Sequence, residues 1–410
     1  MSNSRVGFIV ALMLAVLRLV GCAARPPVPP TDRPAGLILF VPGFKGTALA
    51  DRSGRRIWVT AEEAIFGTRS LALPVPEIGI TNAELLTDGL LTSVPVIPGL
   101  YRYDVYGGTL DTLERAAGGR FEVRSFPYDW RRSIEAAARS LASVVDAERR
   151  RGRGPIVLVG HSMGGLVVAH YLRYGGGDPS AGIEWIGTRS IDAAVIAAAP
   201  FRGSLEIFHD IEFGEQTGLN ESLLDSAALS SFESSYELLP FGTYRPDEVD
   251  PLAPSFWLRS GWGLLSRERT TEELRPVRER FVLDRLSGAS TLFSALHRPA
   301  GSGGGHRRKL LVIRGTGTLT ADTVPQDEDT GLPDFDAVRF TDGDGVVTAG
   351  SSTLPTPYER AHDVKDLRVE AEHQRVLEST ASFKAVRRLL TEPPFASGAE
   401  GLRDQQPDGT

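Results

Sequence analysis

Short apolar runs alternate with amphipathic segments along most of the chain. The runs that predict buried or half-buried strands cover residues 37–41, 121–126, 156–159, 191–198 and 309–314. The segments with helical periodicity cover residues 133–149, 165–174 and 379–390. One apolar face is expected on the first of these helices (Ile134, Ala137, Ala138, Leu141, Val144 and Val145) and another on the last (Phe383, Val386, Leu389 and Leu390). Strands that alternate with helices predict an α/β fold, with a mostly parallel sheet and helices on both faces.

Residues 201–308 interrupt this alternation and are interpreted as an insertion within one catalytic domain, residues 37–392. The insertion is rich in aromatic residues without regular spacing: Phe201, Phe208, Phe213, Phe232, Phe241, Phe256, Trp257 and Trp262. These residues form either the core of a fixed cap or part of a mobile lid over a site. The polar residues 393–410 are expected to be a disordered tail.

The N-terminus has the pattern of a targeting segment. Arg5 precedes an apolar run that closes with "LVGC", which resembles a bacterial lipoprotein signal. On this interpretation residues 1–21 are removed, Cys22 carries lipid, and the protein is exported to the cell envelope; Ala23 after the cysteine favours the outer membrane. An uncleaved anchor and an ordinary signal peptide are the alternatives. The proline-rich residues 22–36 are expected to be a tether.

Composition and charge exclude several other classes of function. The chain is 41% hydrophobic and 24% charged, as in ordinary globular proteins. Its formal net charge is −7 and it has no long basic run, so nucleic acid is not expected as a partner. Cys22 is its only cysteine, which excludes an intrachain disulfide. The sequence has no clustered metal-ligand spacing, and neither a metal nor a cofactor is expected.

Residues 160–164 read Gly-His-Ser-Met-Gly, between a predicted strand and a predicted helix. They fit G-x-S-x-G, a strained turn that exposes a serine hydroxyl where a strand gives way to a helix. The glycines lack side chains, so the strand and the helix can pack closely. The sequence therefore predicts Ser162 as a nucleophile.

A serine nucleophile needs a base, and the base needs an acid that orients it. For this kind of turn the chain order of the three residues is Ser, Asp, His. Asp344, in "FTDGDGVVT", is the preferred acid, and Asp342 is the alternative. His373 is the preferred base because it follows a predicted last strand and precedes the last helix. His362 precedes that strand and is expected at the surface.

Two backbone N–H groups are candidates for an oxyanion hole. One belongs to Met163, directly after the serine, and the other to Phe44 in "VPGFKG", a glycine-rich loop after an early strand. His161 and His170 flank the serine and are expected to be packing or pocket residues.

Five segments together resemble the lecithin:cholesterol acyltransferase family, which includes lysosomal phospholipase A and the phospholipid:diacylglycerol acyltransferases. They are "VPGFKGTAL", "SFPYDWRR", "LVGHSMGGL", "AAAPFRGS" and "DGDGVVTAGS", of which "PYDWR" is the most specific. The resemblance covers about residues 37–390, but residues 205–308 show no counterpart.

The resemblance implies an α/β-hydrolase fold with an inserted cap or lid. It implies a catalytic triad of Ser162, Asp344 and His373, an oxyanion hole formed by Phe44 and Met163, and no cofactor. The implied activity is acyl transfer from a lipid ester, with a phospholipid or other lipid ester and a membrane surface as partners. A general carboxylesterase or lipase, and a non-catalytic lipid-binding lipoprotein, are the alternatives.

Overall fold

The computed structural model describes residues 34, 36–97, 101–182, 184–301, 305–392 and 395. The predicted signal peptide, Cys22, and almost all of the predicted tether and tail lie outside these residues. Within the described part of the chain, no helix is both long enough and apolar enough to cross a membrane.

The described residues form fifteen strands and eleven α-helices, together with short 3₁₀ turns. The strands are β1 (Gly36–Val41), β2 (Thr47–Ala50), β3 (Arg56–Trp58), β4 (Leu86–Leu90), β5 (Ser93–Ile97), β6 (Tyr101–Asp104), β7 (Phe121–Ser125), β8 (Ile156–His161), β9 (Ala193–Ala197), β10 (Glu215–Thr217), β11 (Asn220–Leu224), β12 (Lys309–Thr316), β13 (Thr318–Thr323), β14 (Arg339–Gly343) and β15 (Asp363–Glu370). The helices are α1 (Ala61–Phe66), α2 (Gly107–Ala117), α3 (Ile134–Arg150), α4 (Met163–Tyr174), α5 (Leu205–Phe213), α6 (Ser226–Ser231), α7 (Glu233–Glu237), α8 (Pro254–Ser260), α9 (Arg275–His297), α10 (Thr356–Ala361) and α11 (Thr380–Thr391).

A central sheet of six strands organises these elements, in the order β15-β12-β9-β8-β1-β7. Every neighbouring pair in this sheet is parallel. After β1 the chain forms β7 on one side and then β8 on the other, so the strand order reverses beside β1. Ligands of open α/β sheets bind outside the carboxyl ends of the strands at such a reversal. The loops after β1 and β8 meet at this edge.

The side chains of the sheet alternate between two hydrophobic cores. Along β1, Leu37, Leu39 and Val41 lie in the core that includes α3 and α4, whereas Ile38 and Phe40 lie in the core that includes α2 and α11. Because successive side chains of a strand point to opposite faces of the sheet, β1 contributes apolar side chains to both cores. The predicted α/β fold, with a mostly parallel sheet and helices on both faces, is confirmed.

The long amphipathic segments form the helices that their periodicity predicts. The Ser133 hydroxyl caps α3 by accepting a hydrogen bond from the Ala136 N–H. Five of the six residues expected on the apolar face of α3 are buried, and Val144 is half-buried. In α11, Val386, Leu389 and Leu390 are buried, but Phe383 is only half-buried. The Arg115 guanidinium lies 5.2 Å from the Phe383 ring centre and covers it in part.

Residues 201–308 form α5 to α9 and the β10–β11 hairpin. Six of the eight aromatic residues noted in this segment are buried: Phe201, Phe208, Phe232, Phe256, Trp257 and Trp262. Phe241 is half-buried against Phe293, and the Phe213 side chain is exposed. Most of these aromatic side chains therefore pack as a core in this structure, as a fixed cap would require.

Glu237 makes a buried contact between α7 of this segment and the start of α3. Its Oε2 accepts a hydrogen bond from the Ile134 N–H at 2.7 Å, and burial raises the pKa of its carboxyl to about 8 from an ordinary value of 4.5. The folded protein therefore holds this proton between about pH 4.5 and pH 8, whereas the unfolded protein releases it. Because the unfolded state then binds fewer protons, stability should fall as the pH rises through this window.

We therefore expect Glu237→Gln to remove the loss of stability that the wild type shows as the pH rises. The amide oxygen can still accept the Ile134 N–H, but it does not titrate. Relative to wild type, the variant should gain stability with rising pH, reaching on the order of a few kcal/mol near the top of the window. Urea unfolding between about pH 5 and pH 8 measures this difference. Parallel stability curves for the two proteins would contradict it.

Candidate active site

Ser162 lies at the junction between β8 and α4, in the turn that the sequence predicts as strained. Its backbone angles are φ 55° and ψ −130°, a conformation that L-residues rarely adopt. Two backbone hydrogen bonds of 2.8 Å hold the turn: the Ser162 N–H donates to the Ala197 carbonyl, and the Ser162 carbonyl accepts from the Gly165 N–H. Ser162 lines a cavity at the carboxyl edge of the sheet.

The glycines around Ser162 are required by close packing. A Cβ atom added at Gly160 would lie 2.5 Å from the Gly164 carbonyl oxygen, and one added at Gly164 would lie 2.2 Å from the Val41 carbonyl oxygen. In the loop after β1, a Cβ at Gly43 would lie 2.7 Å from the Ser162 Cβ. The chain therefore needs glycine at these positions for β1, β8 and α4 to approach one another.

His373 and Asp344 form a hydrogen-bonded pair beside this turn. The His373 Nδ1 lies 2.8 Å from the Asp344 Oδ2, and the backbone N–H of His373 donates to the Asp344 carbonyl at 2.8 Å. The other carboxylate oxygen of Asp344 accepts hydrogen bonds from the N–H groups of Val346 and Val347. The pair fixes the orientation of the imidazole, and His373 lines the same cavity as Ser162.

The surroundings of Asp344 keep its carboxyl ionised. Burial opposes ionisation, but the charge and hydrogen bond of His373, with the N–H groups of Val347 and Val346, together hold the pKa of Asp344 below its ordinary value. A carboxylate that stays ionised near neutral pH can hold the Nδ1–H of His373 and stabilise a positive charge on that ring.

The other candidates for acid and base lie elsewhere. Asp342 is exposed and accepts a hydrogen bond from the Gly317 N–H. The expectation that His362 lies at the surface is wrong: it is 1% exposed, and its ring packs edge-on against Trp185. Trp185 is far from His362 in sequence, so local pattern could not reveal this packing. His170 is buried within α4, and burial lowers its pKa to about 4.

The two candidate oxyanion donors belong to the segments that follow β8 and β1. Met163 is the first residue of α4, where backbone N–H groups have no partner within the helix. Phe44 lines the cavity together with Ser162. Its ring packs edge-on against Trp130, with ring centres 4.9 Å apart, and this contact supports the loop after β1.

The cavity has a volume of about 200 Å³ and is both apolar and charged. Ile207, Leu238 and Val347 supply apolar wall, while Lys45 and Asp210 add charge. Lys45 also pairs with Glu215 of β10, at 2.5 Å. Burial raises the pKa of Asp210 to about 6, although a hydrogen bond with His209 opposes the shift.

No local pattern in the sequence marks the charged wall of the cavity. Lys45 lies within the predicted oxyanion loop and could have been noticed there, but its partner Glu215 lies 170 positions away. Among the residues that the structure describes, no group of three or more His, Cys, Asp or Glu side chains is arranged to hold a metal ion.

The "PYDWR" segment packs beside the loop after β1 and binds neighbouring backbone carbonyls. Trp130 is fully buried and donates its indole N–H to the Thr47 carbonyl at 2.9 Å. Arg131 is also fully buried; it binds both carboxylate oxygens of Asp129 and the Leu71 carbonyl. The segment therefore holds neighbouring loops together without lining the cavity itself.

Comparison with known proteins is consistent with this geometry. Residues 79–255 match the family model described as lecithin:cholesterol acyltransferase. The match includes Ser162 and Met163, while Phe44, Asp344 and His373 lie outside it. It also reaches into the inserted segment. The expectation that residues 205–308 have no counterpart in the family is therefore wrong for residues 205–255.

Two curated proteins and one solved structure are also similar. The lysosomal phospholipase A and acyltransferase of Canis lupus familiaris is 24% identical over 283 residues, which are 66% of this chain and 63% of that protein. An uncharacterized protein of Saccharomyces cerevisiae is 26% identical over 211 residues, 50% of this chain and 29% of the yeast protein. The chain thus spans less than two thirds of either relative.

A chain in the crystal structure of the Tle4-Tli4 complex has the same fold. It superposes with a TM-score of 0.51 at 14% identity, covering 87% of this chain and 98% of that one. Together with the sheet order and the turn at Ser162, this likeness identifies an α/β-hydrolase fold. The predicted resemblance to the lecithin:cholesterol acyltransferase family is confirmed by the match over residues 79–255.

Proposed function

We propose that this protein is a serine acyl hydrolase or acyltransferase that acts on lipid esters, with a phospholipid as the acyl donor. The observation that carries the proposal is that His373, whose Nδ1 is paired with Asp344, lines the same cavity as Ser162. The chain is similar to the lecithin:cholesterol acyltransferase family and to a protein named lysosomal phospholipase A and acyltransferase. This similarity supports a lipid ester as the substrate over other acyl compounds.

In the first half of the reaction, the Ser162 hydroxyl attacks the ester carbonyl while the His373 Nε2 takes its proton. Asp344 holds the Nδ1–H of His373 and stabilises the imidazolium as it forms. The N–H groups of Phe44 and Met163 donate to the oxyanion of the tetrahedral intermediate. Collapse of this intermediate leaves the acyl group on Ser162, and His373 returns the proton to the departing alcohol.

In the second half, an acyl acceptor enters the same cavity. His373 takes a proton from water or from an alcohol, which attacks the acyl-serine to form a second tetrahedral intermediate. Collapse of this intermediate breaks the bond between the acyl group and the Ser162 oxygen, and His373 returns the proton to that oxygen. Water yields a free fatty acid, whereas an alcohol yields a new ester. The balance between hydrolysis and transfer is therefore set by which acceptor reaches His373.

A carboxylesterase for small esters is a second candidate, and the size of the cavity favours it. A volume of about 200 Å³ holds a short acyl chain more readily than a complete phospholipid acyl chain. A lipid substrate requires that the long chain extend beyond this cavity, along the surface or beneath the inserted segment.

Mass spectrometry of reaction products separates these functions. Purified protein is incubated with mixed phospholipids and a long-chain alcohol, and the Ser162→Ala variant serves as the control. Loss of phospholipid with release of fatty acid supports a lipid hydrolase, and new esters of the alcohol support a transferase. A separate assay uses the small ester p-nitrophenyl butyrate. Hydrolysis of this ester without any change in the phospholipids would favour the small-ester carboxylesterase. If neither substrate is consumed by wild type, the proposal is wrong.

A further inference from the structure

A chain of buried hydrogen bonds joins the loop after β1 to the loop that carries His373. The Gly43 N–H donates to the Tyr106 hydroxyl oxygen at 2.9 Å. The same hydroxyl lies 2.9 Å from the Nδ1 of His161, and the His161 Nε2 lies 2.9 Å from the His373 carbonyl oxygen. Tyr106 is 2% exposed and His161 is 1% exposed, so bulk water does not compete for these partners.

The chemistry of the partners fixes the direction of each bond. A carbonyl oxygen only accepts, so the His161 Nε2 must carry the proton that it donates to His373. Burial and the nearby charge of His373 lower the pKa of His161 to about 3, so the ring is neutral and its Nδ1 is an acceptor. The Tyr106 hydroxyl, whose pKa burial raises to about 12, keeps its proton and donates it to that Nδ1.

The chain of bonds reaches the backbone beside Phe44, beside Ser162 and at His373. Gly43 precedes Phe44, His161 precedes Ser162, and the last acceptor is the backbone of His373 itself. A second hydrogen bond also holds the segment that carries Tyr106 to the His373 loop. The Gln374 side chain donates to the Val105 carbonyl at 2.6 Å.

We propose that Tyr106 and His161 are positioning residues, which set the placement of the Phe44 N–H and the His373 ring relative to Ser162 through this hydrogen-bond chain. The inference rests on the proposed serine mechanism. Neither residue takes or gives a proton in the reaction. Because His161 is neutral, it holds the His373 backbone without adding a positive charge beside the imidazolium that forms during acyl transfer.

Tyr106→Phe tests the inference, with Tyr128→Phe as the matched control. Tyr128 is also buried, and its hydroxyl donates to the Pro42 carbonyl at 2.8 Å, in the same loop, rather than to His161. Each variant removes one hydroxyl from a buried tyrosine. Removal of the Tyr106 hydroxyl also leaves the Gly43 N–H and the His161 Nδ1 without their partner.

With p-nitrophenyl butyrate as substrate, we expect Tyr106→Phe to lower kcat by about 10- to 100-fold with KM changed by less than about threefold. The rate of inactivation by a fluorophosphonate should fall by the same factor as kcat. Tyr128→Phe removes one hydrogen bond where Tyr106→Phe removes two, so it should lower Tm by less, and it should keep kcat within about threefold of wild type. Equal kcat values for the two variants, or a loss in Tyr106→Phe that is confined to Tm, would overturn the inference.

His161 variants answer the same question if Tyr106→Phe does not fold. His161→Gln keeps an amide that can donate to the His373 carbonyl and accept from Tyr106, so it should retain more kcat than His161→Leu by about tenfold or more. Equal kcat in these two variants would argue against the hydrogen-bond chain. If wild type itself neither hydrolyses the ester nor reacts with the fluorophosphonate, the proposed function fails instead, so the two failures are distinguishable.

Discussion

Replacing Ser162 or His373 by alanine should lower turnover of a lipid ester by on the order of 10⁴-fold or more, because the residues of a triad act as a unit. Asp344→Asn should cause a somewhat smaller loss, since the amide can leave His373 in the wrong tautomer but does not remove the base. Rates of fatty acid release, measured by mass spectrometry with phospholipid vesicles, give these values.

Asp342→Asn is the matched control for the acid. Asp342 lies two positions before Asp344 and is exposed, and its carboxylate accepts the Gly317 N–H, which an asparagine oxygen can also accept. Its turnover should stay within about threefold of wild type. A loss in Asp342→Asn as large as that in Asp344→Asn would show that the acid has been assigned to the wrong residue.

Gly164→Ala should be among the most damaging single-methyl substitutions in the protein. The new Cβ would lie 2.2 Å from the Val41 carbonyl oxygen and 2.5 Å from that of Pro42, so the backbone of α4 and the loop after β1 must separate. We expect a loss of about 3 kcal/mol or more in the free energy of unfolding. Activity should also fall, because the movement pulls the Met163 and Phe44 N–H groups apart.

The same substitution at Gly288 separates this packing effect from the general effect of glycine. Gly288 is exposed in the middle of α9, and a Cβ added there meets no atom within 4 Å. Gly288→Ala should therefore stabilise the protein by up to about 1 kcal/mol through the helix propensity of alanine. Urea unfolding of the two variants measures the difference, and equal midpoints would contradict the packing argument.

The turn at Ser162 could be predicted because its requirements are local. The stretch contains glycines at 160 and 164, an apolar run before them and a segment with helical spacing after them. The pair of Asp344 and His373 could be predicted by chain order, since the fold allows only one sequence of the three residues. After β12 the chain forms the antiparallel hairpin of β13 and β14, and Asp344 directly follows β14. The hairpin thus brings Asp344 back to the sheet edge, where it meets His373.

Contacts between distant segments could not be predicted in this way. The bond from Tyr106 to His161 joins residues 55 positions apart, and that from His161 to His373 spans 212 positions. Neither His161 nor Tyr106 has a local pattern that marks this role. The same limit explains why His362 was expected at the surface, since its burial depends on Trp185 from another part of the chain.

Labelling with a fluorophosphonate, mapped by peptide mass spectrometry, tests the central claim most directly, because the reagent needs both the nucleophile and its base. Wild type should carry the label at Ser162, Ser162→Ala should carry none, and His373→Ala should react far more slowly although it remains folded. A label on any other residue, or labelling of Ser162 in His373→Ala at the wild-type rate, would contradict the assignment of Ser162, His373 and Asp344 as one catalytic unit.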